Sequence, residues 1–301
     1  MRPCSRVMVA ILLAIAGPVA ATTAAASAQG TAQGAKRCVK VTATIHHVGA
    51  LPEAVAVNPK TNTVYVASFG SSTVSVISGQ TNTVTATIPV GASPGGIAVN
   101  PKTSTVYVAN SGNATVSVIS GRTNTVTATI PVGADPHAPA VDPTTNTIYV
   151  ANSHSPGSST VSVISGRTNT VTATIPLGAS LPVQMAANPT TNTVYVTSEF
   201  PSNTVSVISG RANSVTATIP LGATSNPYGI AANPKTSTVY VANSGNATVS
   251  LISGRTNTVT ATIPVGFSPH GIAVDPKTST AYVANFGSDT PGHTVSVLAS
   301  C

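Results

Sequence analysis

Charge is the scarcest commodity in this sequence. Thirteen basic and six acidic residues make up 6% of its 301 positions, tryptophan is absent, and there are four phenylalanines and three cysteines. Each shortage excludes something. Six histidines occur without His-x-His or His-x-x-x-His spacing, so no metal-ligand pattern is written into the chain. No glycine-rich phosphate loop, nucleophile elbow or cysteine nucleophile is evident, which removes the commonest routes to phosphoryl and acyl transfer. Low charge alone fits a disordered chain. Here Val, Ile and Tyr alternate with Thr and Ser at period two, a pattern that disorder does not require.

What the chain does have begins with a leader. Arg2 and Arg6 precede an apolar run from Val7 to Ala16, and Ala26-Ser27-Ala28 fits a small-residue cleavage site. Residues 1–28 therefore read as a signal peptide and 29–37 as a short linker, with the folded unit at 38–301. The apolar run is too short to span a bilayer comfortably, and no second one follows. The expectation is an extracytoplasmic, secreted or cell-envelope protein without a transmembrane segment, and a monomer. Cys4 lies ahead of the apolar core, so it leaves with the leader.

The folded unit repeats. Tyr65, Tyr107, Tyr149, Tyr195, Tyr240 and Tyr282 recur at spacings of 42, 42, 46, 45 and 42. A period near 42 with about four short strands per copy is the signature of a β-propeller blade. In the second copy the strands read, from the axis outward, a at Gly96 to Val99, b at Thr105 to Ala109, c at Thr115 to Ile119 and d at Thr125 to Ile130. Strand a is almost wholly apolar, as suits an inner strand covered on both faces. The fold class expected is all-β, a single propeller of six four-stranded blades. Its last blade is assembled from both ends: a lone d strand at Val41 to Ile45 and a lone c strand at Thr294 to Leu298. Aligned on Thr160 to Ile175, Cys301 falls at Arg167 and Cys38 at Thr168, consecutive positions of the repeat. A disulfide there replaces the missing peptide link, and exported proteins keep such bonds. In the chain-entropy model a loop of that length contributes about 5 kcal/mol.

The segments Val64-Tyr65-Val66-Ala67-Ser68, Val106-Tyr107-Val108-Ala109-Asn110 and Val194-Tyr195-Val196-Thr197-Ser198 carry a family likeness, as does the Pro94 to Pro101 type of stretch. Over residues 39 to 298 the chain resembles the YVTN family of β-propeller repeat proteins. That resemblance implies an exported surface or periplasmic protein, often with seven blades, where this chain has six copies. It implies no single activity.

Loop lengths separate the two faces of the ring. All a–b segments keep six steps from turn proline to tyrosine, and all continuous c–d hairpins keep twelve. Every insertion falls in the b–c and d–a loops, which share the opposite face; insertions on one face mark a binding face in repeat proteins. The position after the d–a proline reads Glu53, Gly95, His137, Val183, Tyr228 and His270 around the ring. Phe69, His154, Glu199, Phe286 and His293 lie on the b–c loops outside it. These are the candidates for a ligand, peptide or small molecule, with no cofactor expected. The alternative is a lyase- or hydrolase-type enzyme using Glu53, His137 and His270 at the channel mouth; a metal held by the same three lacks spacing support.

The invariant face carries Lys60, Lys102, Arg122, Arg167, Arg211, Lys235, Arg255 and Lys277 in its turns, with Asp142 and Asp275 opposing them. Such a basic annulus suits an anionic cell-surface polymer or nucleic acid, though it lacks the aromatic groups that stack on bases. The preferred expectation is a non-enzymatic binding or scaffold module working through the variable face.

Overall fold

Alternating Thr and Val make strands, and asparagine or serine turns the chain between them. The computed structural model describes residues 43–153, 158–287 and 294–299. Blade 1 is β1 to β4 (Pro52–Asn58, Thr63–Ser68, Thr73–Ser78, Thr83–Pro89) and blade 2 is β5 to β8 (Pro94–Asn100, Thr105–Asn110, Thr115–Ser120, Thr125–Pro131). Blade 3 is β9 to β12 (Pro136–Asp142, Thr147–Asn152, Ser159–Ser165, Thr170–Gly178) and blade 4 is β13 to β16 (Pro182–Asn188, Thr193–Ser198, Thr204–Ser209, Ser214–Pro220). Blade 5 is β17 to β20 (Pro227–Asn233, Thr238–Asn243, Thr248–Ser253, Thr258–Pro264) and blade 6 is β21 to β23 (Pro269–Asp275, Thr280–Asn285, Thr294–Leu298). Each blade is an antiparallel meander, so the all-β propeller of six blades is the observed architecture. Five sheets have four strands and the sixth has three among the described residues.

Turn chemistry sets the strand register. Asn62, Ser104, Asn146, Asn192, Ser237 and Ser279 in the a–b turns, and Asn82, Asn124, Asn169, Asn213 and Asn257 in the c–d turns, all have φ between 50° and 56°. Short polar side chains tolerate that left-handed backbone where branched ones do not. Before three of the turn prolines, at Asn58, Asn100 and Asn233, an asparagine does two jobs. Asn100 Oδ1 accepts from Lys102 N–H at 3.0 Å, while its Nδ2 donates to Asn146 Oδ1 of the next blade at 2.7 Å. Asn233 repeats the pattern toward Lys235 and Ser279. At the other end of strand b, Asn110, Asn152, Asn243 and Asn285 each donate to two hydroxyls of the neighbouring strand c, at 2.9–3.1 Å.

The core lies between blades rather than within them. Tyr65 packs on Ile97, Val106, Val108 and Ile119 of blade 2. Tyr107 packs likewise on blade 3, Tyr149 on blade 4 and Tyr195 on blade 5. Each of these four rings is fully buried, which contributes on the order of 2–3 kcal/mol apiece. Burial also pushes the Tyr107 and Tyr149 hydroxyls up to about 12. Those hydroxyls make no protein hydrogen bond and end against a turn glycine of the next blade. A Cβ on Gly121 would sit 2.7 Å from Tyr65 Oη and 2.7 Å from the Ser104 carbonyl oxygen.

The ring is not evenly closed. The inner strands β1, β5, β9, β13, β17 and β21 lie side by side in that order, but β21 is not packed along β1 as the others pack on their neighbours. The surfaces bordering this seam are open: Tyr282 is 43% exposed, Val295 51% and Val297 59%, where their counterparts in blades 2 to 4 are buried. The fourth strand expected for blade 6 is not among the described strands. Residues 43–45 adopt no strand, and Val41 and Thr42 lie outside the described residues, as do Cys38 and Cys301. No helix among the described residues is long and apolar enough to cross a membrane.

The glycine contacts make a direct test. Gly121→Ala must displace either backbone or a buried tyrosine, and should cost about 1–3 kcal/mol in urea unfolding. Gly95→Ala meets nothing within 4 Å and should stay within about 0.5 kcal/mol of the parent.

Candidate functional site

The six inner strands do not start straight. Between the d–a proline and the body of strand a, the a–b register shifts by one residue, at Glu53, Gly95, Val183 and His270. In blade 5 the bulge takes both Tyr228 and Gly229. Blade 3 differs: His137 stays paired with Ala151 and the bulge moves to Ala138 and Pro139. Proline has no N–H to give to the ladder, and Ala138 adopts φ 47° to make the kink. A bulge re-aims side chains next to a site. The residues singled out by the repeat alignment therefore sit at the break in the backbone or, for His137, directly before it, and all of them line the central opening.

That opening is a cavity of about 680 Å³. Glu53, His137, Tyr228 and His270 line it, and so do Phe69 and Glu199 from the b–c loops. The loop residues were expected outside the mouth; the structure brings these two into it. The Tyr228 and His270 rings lie 4.7 Å apart and form one wall of it, and the exposed Phe286 ring lies 5.7 Å from His270. His154 and His293 lie outside the described residues. The sequence reading did not single out Gln184, Ser111, Ser153 and Ser244, which also line the cavity. Gln184 directly follows the bulge of β13 and ends the lengthened d–a connection from Ser180, which was its available signal. Gly91-Ala-Ser93-Pro-Gly95 has the spacing of a nucleophile elbow, but it feeds strand β5 instead of a helix.

Polar geometry fixes the two imidazoles differently. His137 Nδ1 lies 2.9 Å from the Asp135 carbonyl oxygen and Nε2 lies 2.8 Å from the Pro182 carbonyl oxygen, so the ring bridges blades 3 and 4. Carbonyls only accept, so a single neutral tautomer makes just one of these bonds. His270 Nδ1 lies 2.8 Å from the Ser268 carbonyl oxygen, which makes Nδ1 the donor and leaves Nε2 as the accepting nitrogen of the neutral ring. Glu199 is half-buried, and burial raises its carboxyl above the ordinary value, while the nearby His270 and His137 pull it back. Among the described residues no three or more His, Cys, Asp or Glu side chains are grouped to hold a metal ion, so Glu53, His137 and His270 are not gathered into such a site.

Charge is sorted between the faces. Glu53, Asp135 and Glu199, three of the six acids in the chain, line the cavity, and among the described residues no Lys or Arg does. Lys60, Lys102, Arg122, Arg167, Arg211, Lys235, Arg255 and Lys277 are all exposed in the a–b and c–d turns. A depression of about 240 Å³ on that side, between blades 1 and 2, is lined by Thr61, Gln80, Gly121 and Asn124 among others and contains no ionisable group.

With this geometry in hand, comparisons with known proteins speak to the fold. No family model matches the chain, and no curated protein matches it. Among solved structures it is similar to Kuenenia stuttgartiensis hydrazine synthase, with a TM-score of 0.58 and 17% identity over 88% of this chain and 99% of that one. At that identity the likeness defines a β-propeller and nothing finer.

Glu199 yields a prediction with a definite sign. Its folded-state carboxyl holds its proton more tightly than in the unfolded chain. Its contribution is therefore fully present below the ordinary value of 4.5 and is lost as pH rises through the raised value. Glu199→Gln should melt above the parent at about pH 7, with the difference closing by about pH 4. Equal differences at both pH values would contradict the assignment.

Proposed function

We propose that this protein is an exported binding or scaffold propeller that engages a small molecule or peptide at the d–a/b–c face, in the manner of the YVTN repeat family it resembles. The observation that carries the reading is the row of bulges. They turn chemically unlike side chains from the inner strands into one cavity, on the face where all loop-length variation falls. Binding is favoured over turnover because His137 is held by backbone carbonyls, and the Ser268 hydroxyl lies a long 3.4 Å from His270 Nδ1, a nitrogen that also faces the Ser268 carbonyl oxygen at 2.8 Å. The catalytic alternative keeps one supporting feature, the Glu199 carboxyl facing both His137 and His270.

The second reading concerns the opposite face, where eight exposed cations suit an anionic polymer. A salt titration decides it, since counter-ion release makes affinity fall steeply with ionic strength. The two faces are separated by paired variants. A thermal-shift screen of small molecules and short peptides should give hits that vanish in Tyr228→Ala/His270→Ala and persist in Lys102→Ala/Arg167→Ala. The reverse pattern would move the function to the turn face.

Removal of residues 1–28, export and ring closure by a Cys38–Cys301 disulfide belong to the same proposal. Its support is the three-stranded blade 6 and the match of Val41-Thr-Ala-Thr-Ile45 to the outer strands. Mature secreted protein, digested without reductant, should yield one peptide joining Cys38 to Cys301. Serine at Cys38 should lower stability by about 2–5 kcal/mol.

A further inference from the structure

We infer that the mouth cavity takes an organic ammonium ion attached to a flat apolar body, with Glu199 as its counter-ion and the Tyr228–His270 wall as its platform. The inference rests on the reading of this cavity as the binding site and adds the chemical class of what enters it. Three observations carry it together. First, the cavity is large enough for such a ligand and its floor is apolar and glycine-rich, which admits a flat group close to backbone. Second, its carboxyl groups outnumber its basic ones: a protein of net charge +7 puts Glu53, Asp135 and Glu199 here beside His137 and His270, with no Lys or Arg among the described residues. Third, the half-buried Glu199 carboxylate accepts no hydrogen bond among the described residues, so its charge is compensated only at a distance. A buried carboxylate without a partner is costly, and an incoming N–H donor of opposite charge relieves that cost.

The wall completes the fit. With Nδ1 donating to the Ser268 carbonyl, Nε2 of the unprotonated His270 tautomer is an acceptor, which an ammonium N–H satisfies and a carboxylate ligand does not. Tilted rings 4.7 Å apart present π faces and edges to an apolar body, and an ammonium near an aromatic face gains further attraction. An anionic ligand meets three acids at the mouth. A neutral one leaves Glu199 unpaired.

Three probes of one shape and different charge make the test: benzylammonium, benzyl alcohol and benzoate, titrated by NMR or calorimetry into the mature protein at about pH 7. Benzylammonium should bind about tenfold or more tightly than benzyl alcohol, with benzoate weakest. Glu199→Gln, checked for fold by circular dichroism, should erase that preference, and Tyr228→Leu should weaken all aromatic probes by about threefold. Equal affinity for benzylammonium and benzyl alcohol, a preference for benzoate, or an unchanged preference in Glu199→Gln overturns the inference. So does binding of none of the three. If benzoate or benzyl alcohol binds instead and is lost in Tyr228→Ala/His270→Ala, the cavity remains the binding site and only the ligand's charge has been misassigned.

Discussion

The contact on which everything else rests is a tyrosine ring laid against a glycine turn in the next blade. It occurs four times among fully buried tyrosines, from Tyr65 onto Gly121 through Tyr195 onto Gly254. A sheet this short has too little surface to stabilise itself, so each blade depends on its neighbour's apolar face. The tyrosine does this best among the available residues because one ring spans the interface and reaches the turn that closes the adjoining hairpin. Glycine is required in that turn for lack of room. The asparagine at the a–b turn adds a polar tie at the same edge, so stacking and turn geometry reinforce each other.

The strict turns and the variable mouth follow from this arrangement. Turn residues on the invariant face are pinned by the neighbouring tyrosine and asparagine, which leaves no freedom to insert residues there. On the other face the chain departs from the ladder at each bulge. Length and chemistry vary where the stacking does not depend on them. The sorting of charge has the same origin, because repeating a fixed turn repeats its lysine or arginine, while the loops are free to carry acids and rings.

Much of this was readable from residues. Tyr107, the Asn-Pro turns and the left-handed Asn and Ser positions all follow from repeat alignment and turn chemistry, and the strands extend only a residue or two beyond the expected limits. Glu53, His137, Tyr228 and His270 were placed at the mouth by their position after proline alone. Other features were not legible. Nothing in the sequence pattern announces that strand a skips a residue, or that Pro139 moves the bulge by one position in blade 3. Glu199 and Phe69 were assigned to an outer ring because loop position says which face a residue occupies and not how far the loop folds inward. The seam at blade 6 was also hidden, since the tilt between successive blades is a property of packed side chains and not of any one copy.

The exposed flank at Tyr282 and Val297 has an evolutionary consequence. Every interior junction is made from the same two surfaces, so a unit of about 42 residues can be gained or lost by duplication or deletion without redesigning any neighbour. The count of units is then limited by circumference and not by chemistry. Selection on the mouth and selection on the number of units can proceed independently, because the first acts on loops and the second on the stacked faces beneath them.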